Sequence, residues 1–313
     1  MSPMFRIALV LGLLSAVGPF AIDMYLPALP LIAADLQTSV TGAQSTLTAF
    51  FIALGAAQLV YGPWADQVGR RLPLLFGVGL FLLASVGCAI APSVEWLTFG
   101  RFMQGLGASV VMVVPRAVIR DLYTGTDATR LMALIMLVIS VSPMLAPLAG
   151  SGLMLLGGWR VLFWIMGGAA VLSLIMTVTM LEETLTPDQR VRVNIASLRR
   201  GTGILLRDPV FMGLTFIGGF GMASFFVFIA SAAFVYGDQY GLSPTQFSLA
   251  FAINAIGFFG ASQTAAPLAE RFGMVRVLFA AVIGFAVVTW SLVGLAVSTD
   301  LPLFVLVGML RPG

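Results

Sequence analysis

The stretch GPWADQVGRR occupies residues 62–71, between two long apolar runs. It places an acid, two glycines and two adjacent arginines in one short turn. Asp66 and Arg70 are four residues apart and pair if the turn opens helically. Gly62 is expected to allow close helix approach, and Gly69 a tight turn where a side chain would clash. A generic charged turn explains the positive charge of Arg70 and Arg71, but not the order of these residues. The runs on either side, 43–65 and 72–91, have the length of about 20 apolar residues that crosses a hydrocarbon core.

The rest of the chain repeats that pattern. It has 313 residues, 59% hydrophobic and 9% charged, with a mean hydropathy of +1.04. Soluble domains carry about a quarter charged residues, so the bilayer is the solvent this composition fits. Further runs lie at 5–27, 97–119, 131–155, 160–181, 210–236, 245–268 and 275–297, and a tenth begins near Pro302. A barrel would need short alternating strands, so the expectation is an all-α integral membrane protein with nine full spans and a partial tenth. The first run is too long, and too many follow it, for a cleaved signal peptide.

With the N-terminus inside, thirteen of the sixteen basic residues, all arginine, fall on inner loops and helix ends. The outer loops hold Arg160 alone, a strong positive-inside bias. The arginines form no single stripe, which argues against nucleic acid. With no histidine, proton chemistry falls to carboxylates. No metal-ligand cluster, nucleophile–base set or phosphate loop is present, so neither a metal, a cofactor nor an enzyme is expected. Cys88, the one cysteine, reads as a small packing residue.

The polar stretch 182–209 separates two halves: 1–181 as a six-helix bundle and 210–313 as a partial second bundle. It reads as a solvated, partly helical inner connector, or as a regulatory or lipid-binding segment. Internal similarity supports the halves. TGAQSTLTAFFIALG (41–55) aligns with SPTQFSLAFAINAIG (243–257), matching Gln44 to Gln246, and GPWADQVGRR aligns with APLAERFGMV (266–275). Two copies of a unit of this size are a transporter pattern.

Three further features carry chemistry. Asp23, in FAIDMYLPALP (20–30), is an ionisable group near the end of the first run, and such a group needs a reason. It lies sixteen residues after Ile7, roughly 24 Å along the helix. Either it faces a central water-filled cavity, or the helix ends near Pro27 and Pro30 and Asp23 is hydrated at the outer interface. Arg101, in RFMQGLG (101–107), lies about 6 Å inside the opposite end of its span. It either snorkels or meets Asp23 at similar depth; Gly105 and Gly107 follow it on a helix expected to pack tightly. In SPMLAPLAGSG (142–152), Pro143 and Pro147 share one face and Gly150 follows. That pattern is either packing or a hinge.

These motifs resemble the major facilitator superfamily. GPWADQVGRR resembles its loop 2–3 signature, with Gln67 where Arg is usual. RFMQGLG resembles its span-four motif. SPMLAPLAGSG looks like its span-five antiporter motif, with Ala146 and Ser151 at two glycine positions. DMYLPALP and EETLTP look like the Bcr/CflA group of bacterial drug:proton antiporters. The resemblance implies two pseudo-symmetric six-helix bundles, the second incomplete here, in the bacterial inner membrane as a monomer. It implies proton-coupled efflux of drugs or other small molecules. Asp23 and Arg101 would couple protons. Gly62, Asp66, Gly69, Arg70, Arg71 and Asp121 would form a conformational latch on the inner face, and Pro143, Pro147 and Gly150 a hinge. An uptake symporter on the same fold stands as one alternative, and a non-transporting truncated fragment as another.

Overall fold

The computed structural model describes residues 3–191 and 195–298. Among them every regular element is helical. In chain order these are α1 (Pro3–Asp23), a 3-10 turn (Leu26–Ala28), α2 (Leu29–Asp35), α3 (Val40–Val68), α4 (Arg71–Ala89), α5 (Val94–Leu122) and α6 (Gly125–Met154). Then come α7 (Arg160–Met180), a 3-10 turn (Pro187–Gln189), α8 (Ile195–Arg207), α9 (Pro209–Phe234), a π turn (Val235–Gln239), α10 (Pro244–Phe272) and α11 (Met274–Ser298). Among the described residues, eight stretches are long and apolar enough to cross a membrane. The 29-residue α10 lies at the expected 245–268 run. The start near Pro302 lies outside the described residues.

Helix starts follow local chemistry. Ser39 and Ser93 accept the Gly42 and Trp96 backbone N–H at the heads of α3 and α5. Asp208 does the same for α9, and Ser243 with Gln246 forms a reciprocal cap on α10. Such caps satisfy N–H groups that a helix start leaves orphaned.

The first run departs from expectation. It is not one helix over 5–27. α1 stops at Asp23, and the chain turns before resuming as α2. Pro27 and Pro30 account for the break, since each lacks an N–H and restricts the residue before it.

α1, α3, α4, α5, α6 and α7 pack into one bundle, with α5 against both α3 and α4 and α1 against α5, α6 and α7. Glycine sets the α5 contacts. A Cβ at Gly105 would strike the Phe50 carbonyl of α3. One at Gly107 would lie 2.5 Å from both the Gly77 carbonyl and the Phe81 nitrogen of α4. Gly62 has no such role: a Cβ there meets nothing within 4 Å. The close approach expected at Gly62 is therefore corrected, because a side chain there would meet no described atom at contact distance. Outward-facing apolar side chains such as Leu59, Leu83 and Trp290, each more than 70% exposed, suit a surface solvated by lipid.

α10 packs on α6 and α11, and α9 touches α2 and α3. Gln44 donates to the Ala230 carbonyl (3.0 Å), the Phe51 and Phe226 rings stack 3.9 Å apart, and Ser248 Oγ lies 2.9 Å from the Pro147 carbonyl. All three contacts lie toward the end of the molecule that carries α2. At the other end, Pro209–Phe211 of α9 and Glu270–Phe272 of α10 are exposed.

Candidate functional site

Two polar clusters stand out, one buried at mid-bundle and one at the α3–α4 turn. Arg101 is fully buried on α5. Its guanidinium lies 4.4 Å from the Tyr25 ring centre and 4.2 Å from that of Phe50. Nη1 donates to the Ala21 carbonyl of α1 (3.3 Å) and to Gln104 Oε1. Gln104 Nε2 donates in turn to Ser85 Oγ at 2.8 Å. The R-x-x-Q spacing has a direct reading here: residues three apart share a helix face, so Gln104 orients the arginine. Tyr25, against whose ring Arg101 packs, is hydrogen-bonded to Thr46 at 2.7 Å.

Asp23 is buried, 5% exposed, and accepts from Ser142 Oγ of α6 at 2.9 Å. The expectation of an interfacial, hydrated Asp23 is therefore overturned: after the helix breaks, the chain folds back into protein rather than into water. The expectation that Asp23 and Arg101 both face one water-filled cavity also fails for Arg101, as does snorkelling, because aromatic rings enclose the guanidinium. The two groups do lie at one level, since Arg101 bonds to Ala21. They point to different neighbours, Arg101 toward Tyr25 and toward Phe50 of α3, and Asp23 toward Ser142 of α6. Among the described residues neither is in an ion pair. Beside them, between α1, α6 and α7, lies a cavity of about 350 Å³ lined only by apolar residues, among them Phe20, Met24 and Met166.

The second cluster centres on Arg70. Its Nη1 reaches Asp66 at 2.5 Å; Nε and Nη2 fork onto Asp121 at 2.7 and 3.3 Å. Gly69 turns the chain at φ +104°, a conformation that favours glycine. A Cβ there would also strike the Glu183 carboxylate. Glu183, the second acid of EETLTP, is given no role from the sequence. It accepts the backbone N–H of Arg70 (2.8 Å), Arg71 (3.1 Å), Thr184 (3.0 Å) and Leu185 (3.1 Å). It thus places negative charge on the start of α4, the favourable end of that helix's dipole. Burial raises its pKa, but these four donors outweigh that and hold it below the ordinary value. Arg71 extends to the Val178 carbonyl of α7 at 2.7 Å, and the Val191 N–H returns to the Asp66 carbonyl at 3.0 Å. Four segments are thereby tied together: the α3–α4 turn, the end of α5, the end of α7 and the polar connector. The sequence signal for Glu183 is its place in EETLTP, two residues after an apolar run, and that does not name its partners.

Pro143 and Pro147 lie within an uninterrupted α6. Gly150 abuts the chain after α1, where a Cβ would strike the Met24 carbonyl.

The family model for the Major Facilitator Superfamily matches residues 11–311. The chain belongs to the major facilitator superfamily. An uncharacterized MFS-type transporter, YdgK of Bacillus subtilis, is 38% identical over 82% of this chain and 64% of its own length. A bicyclomycin resistance protein homolog of Haemophilus influenzae is 30% identical over 82% of this chain and 65% of its own. The chain thus spans just under two thirds of the length of these curated relatives. The crystal structure of a bacterial homolog to the human lysosomal transporter Spinster, inward-facing and unoccupied, superposes with a TM-score of 0.69. It is 19% identical and covers 87% of this chain and 64% of that one. That likeness speaks to the fold.

Proposed function

We propose that this chain serves proton-coupled efflux of drugs or other small apolar molecules across the bacterial inner membrane, by alternating access. The observation that carries the reading is Asp23: a carboxylate buried at membrane depth, bonded to Ser142 of another helix and without an ion-pair partner among the described residues. Such a group is costly unless it is used. Taking up a proton removes that cost, and releasing it restores it, so Asp23 is the proton site. Arg101 acts as a fixed positive charge at the same level and orients the end of α1 through Ala21. The neighbouring apolar cavity suits a lipophilic substrate, and the resemblance to the H. influenzae bicyclomycin resistance homolog supports drugs as the class.

In this reading the Arg70 end is cytoplasmic, as the arginine bias indicates, and so is the N-terminus. The halves then meet on the outer side and stand open on the inner side. The Asp66–Arg70–Asp121 cluster is the latch, engaged on the first bundle and waiting for the second. Pro143, Pro147 and Gly150 form the hinge, because α6 carries both the Asp23 contact and the contact to Ser248. The protein works as a monomer.

The test is drug susceptibility in a bacterium stripped of its own pumps. It would express this chain or its Asp23→Asn variant, with membrane insertion verified for both. Protection by the chain and none by Asp23→Asn is expected. Equal protection by the two would refute the proton role.

A further inference from the structure

Among the described residues, the helix α8, IASLRRGTGILLR, contributes no side chain to either polar cluster. At 100° per residue, positions 195, 198, 202, 205 and 206 fall on one stripe, and positions 199, 200 and 207 on the adjoining one. The first stripe is apolar apart from Thr202; the second is arginine. No acid occurs within the helix, and the next one, Asp208, is occupied in capping α9 through the Val210 and Phe211 N–H groups. Leu205 and Leu206 are 46% and 59% exposed, Ile204 on the far side of the helix is 65% exposed, and Arg200 and Arg207 are exposed as well. Two leucines left uncovered beside a basic stripe need a neighbour that is apolar on one side and anionic on the other.

The place of the helix names that neighbour. α8 ends at Arg207, and α9, a membrane-spanning stretch, begins at Pro209. The last turn of α8 therefore lies at the level where hydrocarbon gives way to headgroups. We infer that α8 is an interfacial helix that binds anionic phospholipid, with the Leu205–Leu206 stripe in the acyl boundary and Arg200 and Arg207 on the phosphates. Helices with segregated apolar and basic faces partition into this layer. A basic side chain near an anionic surface changes that partition by about fivefold. The charge complementarity selects anionic lipid over a zwitterionic surface. The result is that the connector between the two halves is held flat on the membrane.

The test places a nitroxide at Thr202→Cys, on the apolar stripe, and separately at Ile204→Cys, on the opposite side, in a Cys88→Ala chain. Each is reconstituted into vesicles of phosphatidylcholine alone or mixed with phosphatidylglycerol. Collision with oxygen and with a water-soluble nickel chelate reports depth. In anionic vesicles, position 202 should become oxygen-accessible and shielded from nickel, while position 204 stays in water. Arg200→Gln with Arg207→Gln should weaken this lipid-dependent shift by about 25-fold, twice the fivefold effect on a logarithmic scale, and the paired Lys variants should retain it. If position 202 stays in water in both membranes, the inference is wrong. If it is shielded equally in both and is indifferent to the arginines, the stripe is covered by something other than anionic lipid, and the inference fails too. The readout does not involve transport, so it stands apart from the proposed efflux activity.

Discussion

Two glycines on neighbouring helices should respond in opposite directions to the same added methyl group. In a helix interior, Gly→Ala gains about 1 kcal/mol, mostly by restricting the unfolded chain. At Gly62 the new Cβ meets nothing within 4 Å, so that gain should survive almost whole. At Gly107 the same Cβ lies 2.5 Å from the Gly77 carbonyl and the Phe81 nitrogen and 2.9 Å from the Phe81 Cα. These are backbone atoms, which cannot swing aside, so α4 and α5 must separate. Overpacking of this kind costs roughly 1–3 kcal/mol, and the upper part of that range applies where backbone is struck. The net expectation for Gly107→Ala is a loss of about 2 kcal/mol, against a gain of up to about 1 kcal/mol for Gly62→Ala. The chain carries its own reporter. Cys88 is its single cysteine and is fully buried, so a thiol-reactive dye in detergent brightens only as the bundle opens. Gly107→Ala should melt earlier than the parent and Gly62→Ala slightly later. Shifts of the same sign and size would show that the α4–α5 contact does not depend on the missing side chain.

The same thermal assay checks the charge clusters. Glu183→Gln keeps an acceptor but loses the charge at the start of α4, and should cost about 1 kcal/mol at neutral pH. Because the Glu183 pKa in the fold lies below the reference value of 4.5, its contribution is complete above that pH and fades as pH falls through the lower folded value. Parent and variant melts should therefore converge below pH 4.5, and a constant gap would refute the assignment. Arg70→Lys cannot span Asp66 and both oxygens of Asp121 and should cost about 1–2 kcal/mol; an unchanged melt would mean that the fork carries no energy. Arg101→Lys retains charge but loses the flat face against Tyr25 and Phe50 and the Nη1 that donates to both Ala21 and Gln104. A loss of about 3 kcal/mol is expected, and parental stability would show that the rings do not hold the cation.

The helices were legible because a membrane span is a local property. Each needs only a run of apolar residues, and the runs around GPWADQVGRR coincide with α3 and α4 to within a few residues. The Asp66–Arg70 pair was legible for the same reason, since both partners lie on one turn. What escaped was lateral. Ser142 meets Asp23 across 119 positions, and Glu183 meets Arg70 across 113. No spacing rule reaches that far. The enclosure of Arg101 escaped because its rings come from three separate helical segments, around Tyr25, Phe50 and Phe163. The break after Asp23 was half visible in Pro27 and Pro30. The sequence offered the end of a helix but not the direction the chain would take afterwards.

The seam between the halves is mostly apolar. Beside one hydrogen bond from Gln44, one stacked pair of phenylalanines and one serine hydroxyl set between the Pro147 and Pro244 carbonyls, α10 packs along α6, and Phe247 and Phe251 are buried in a core shared with the first bundle. Apolar contact is non-directional, so a rocking of the halves at this seam, as the proposed alternating access requires, would leave few buried polar groups without a partner.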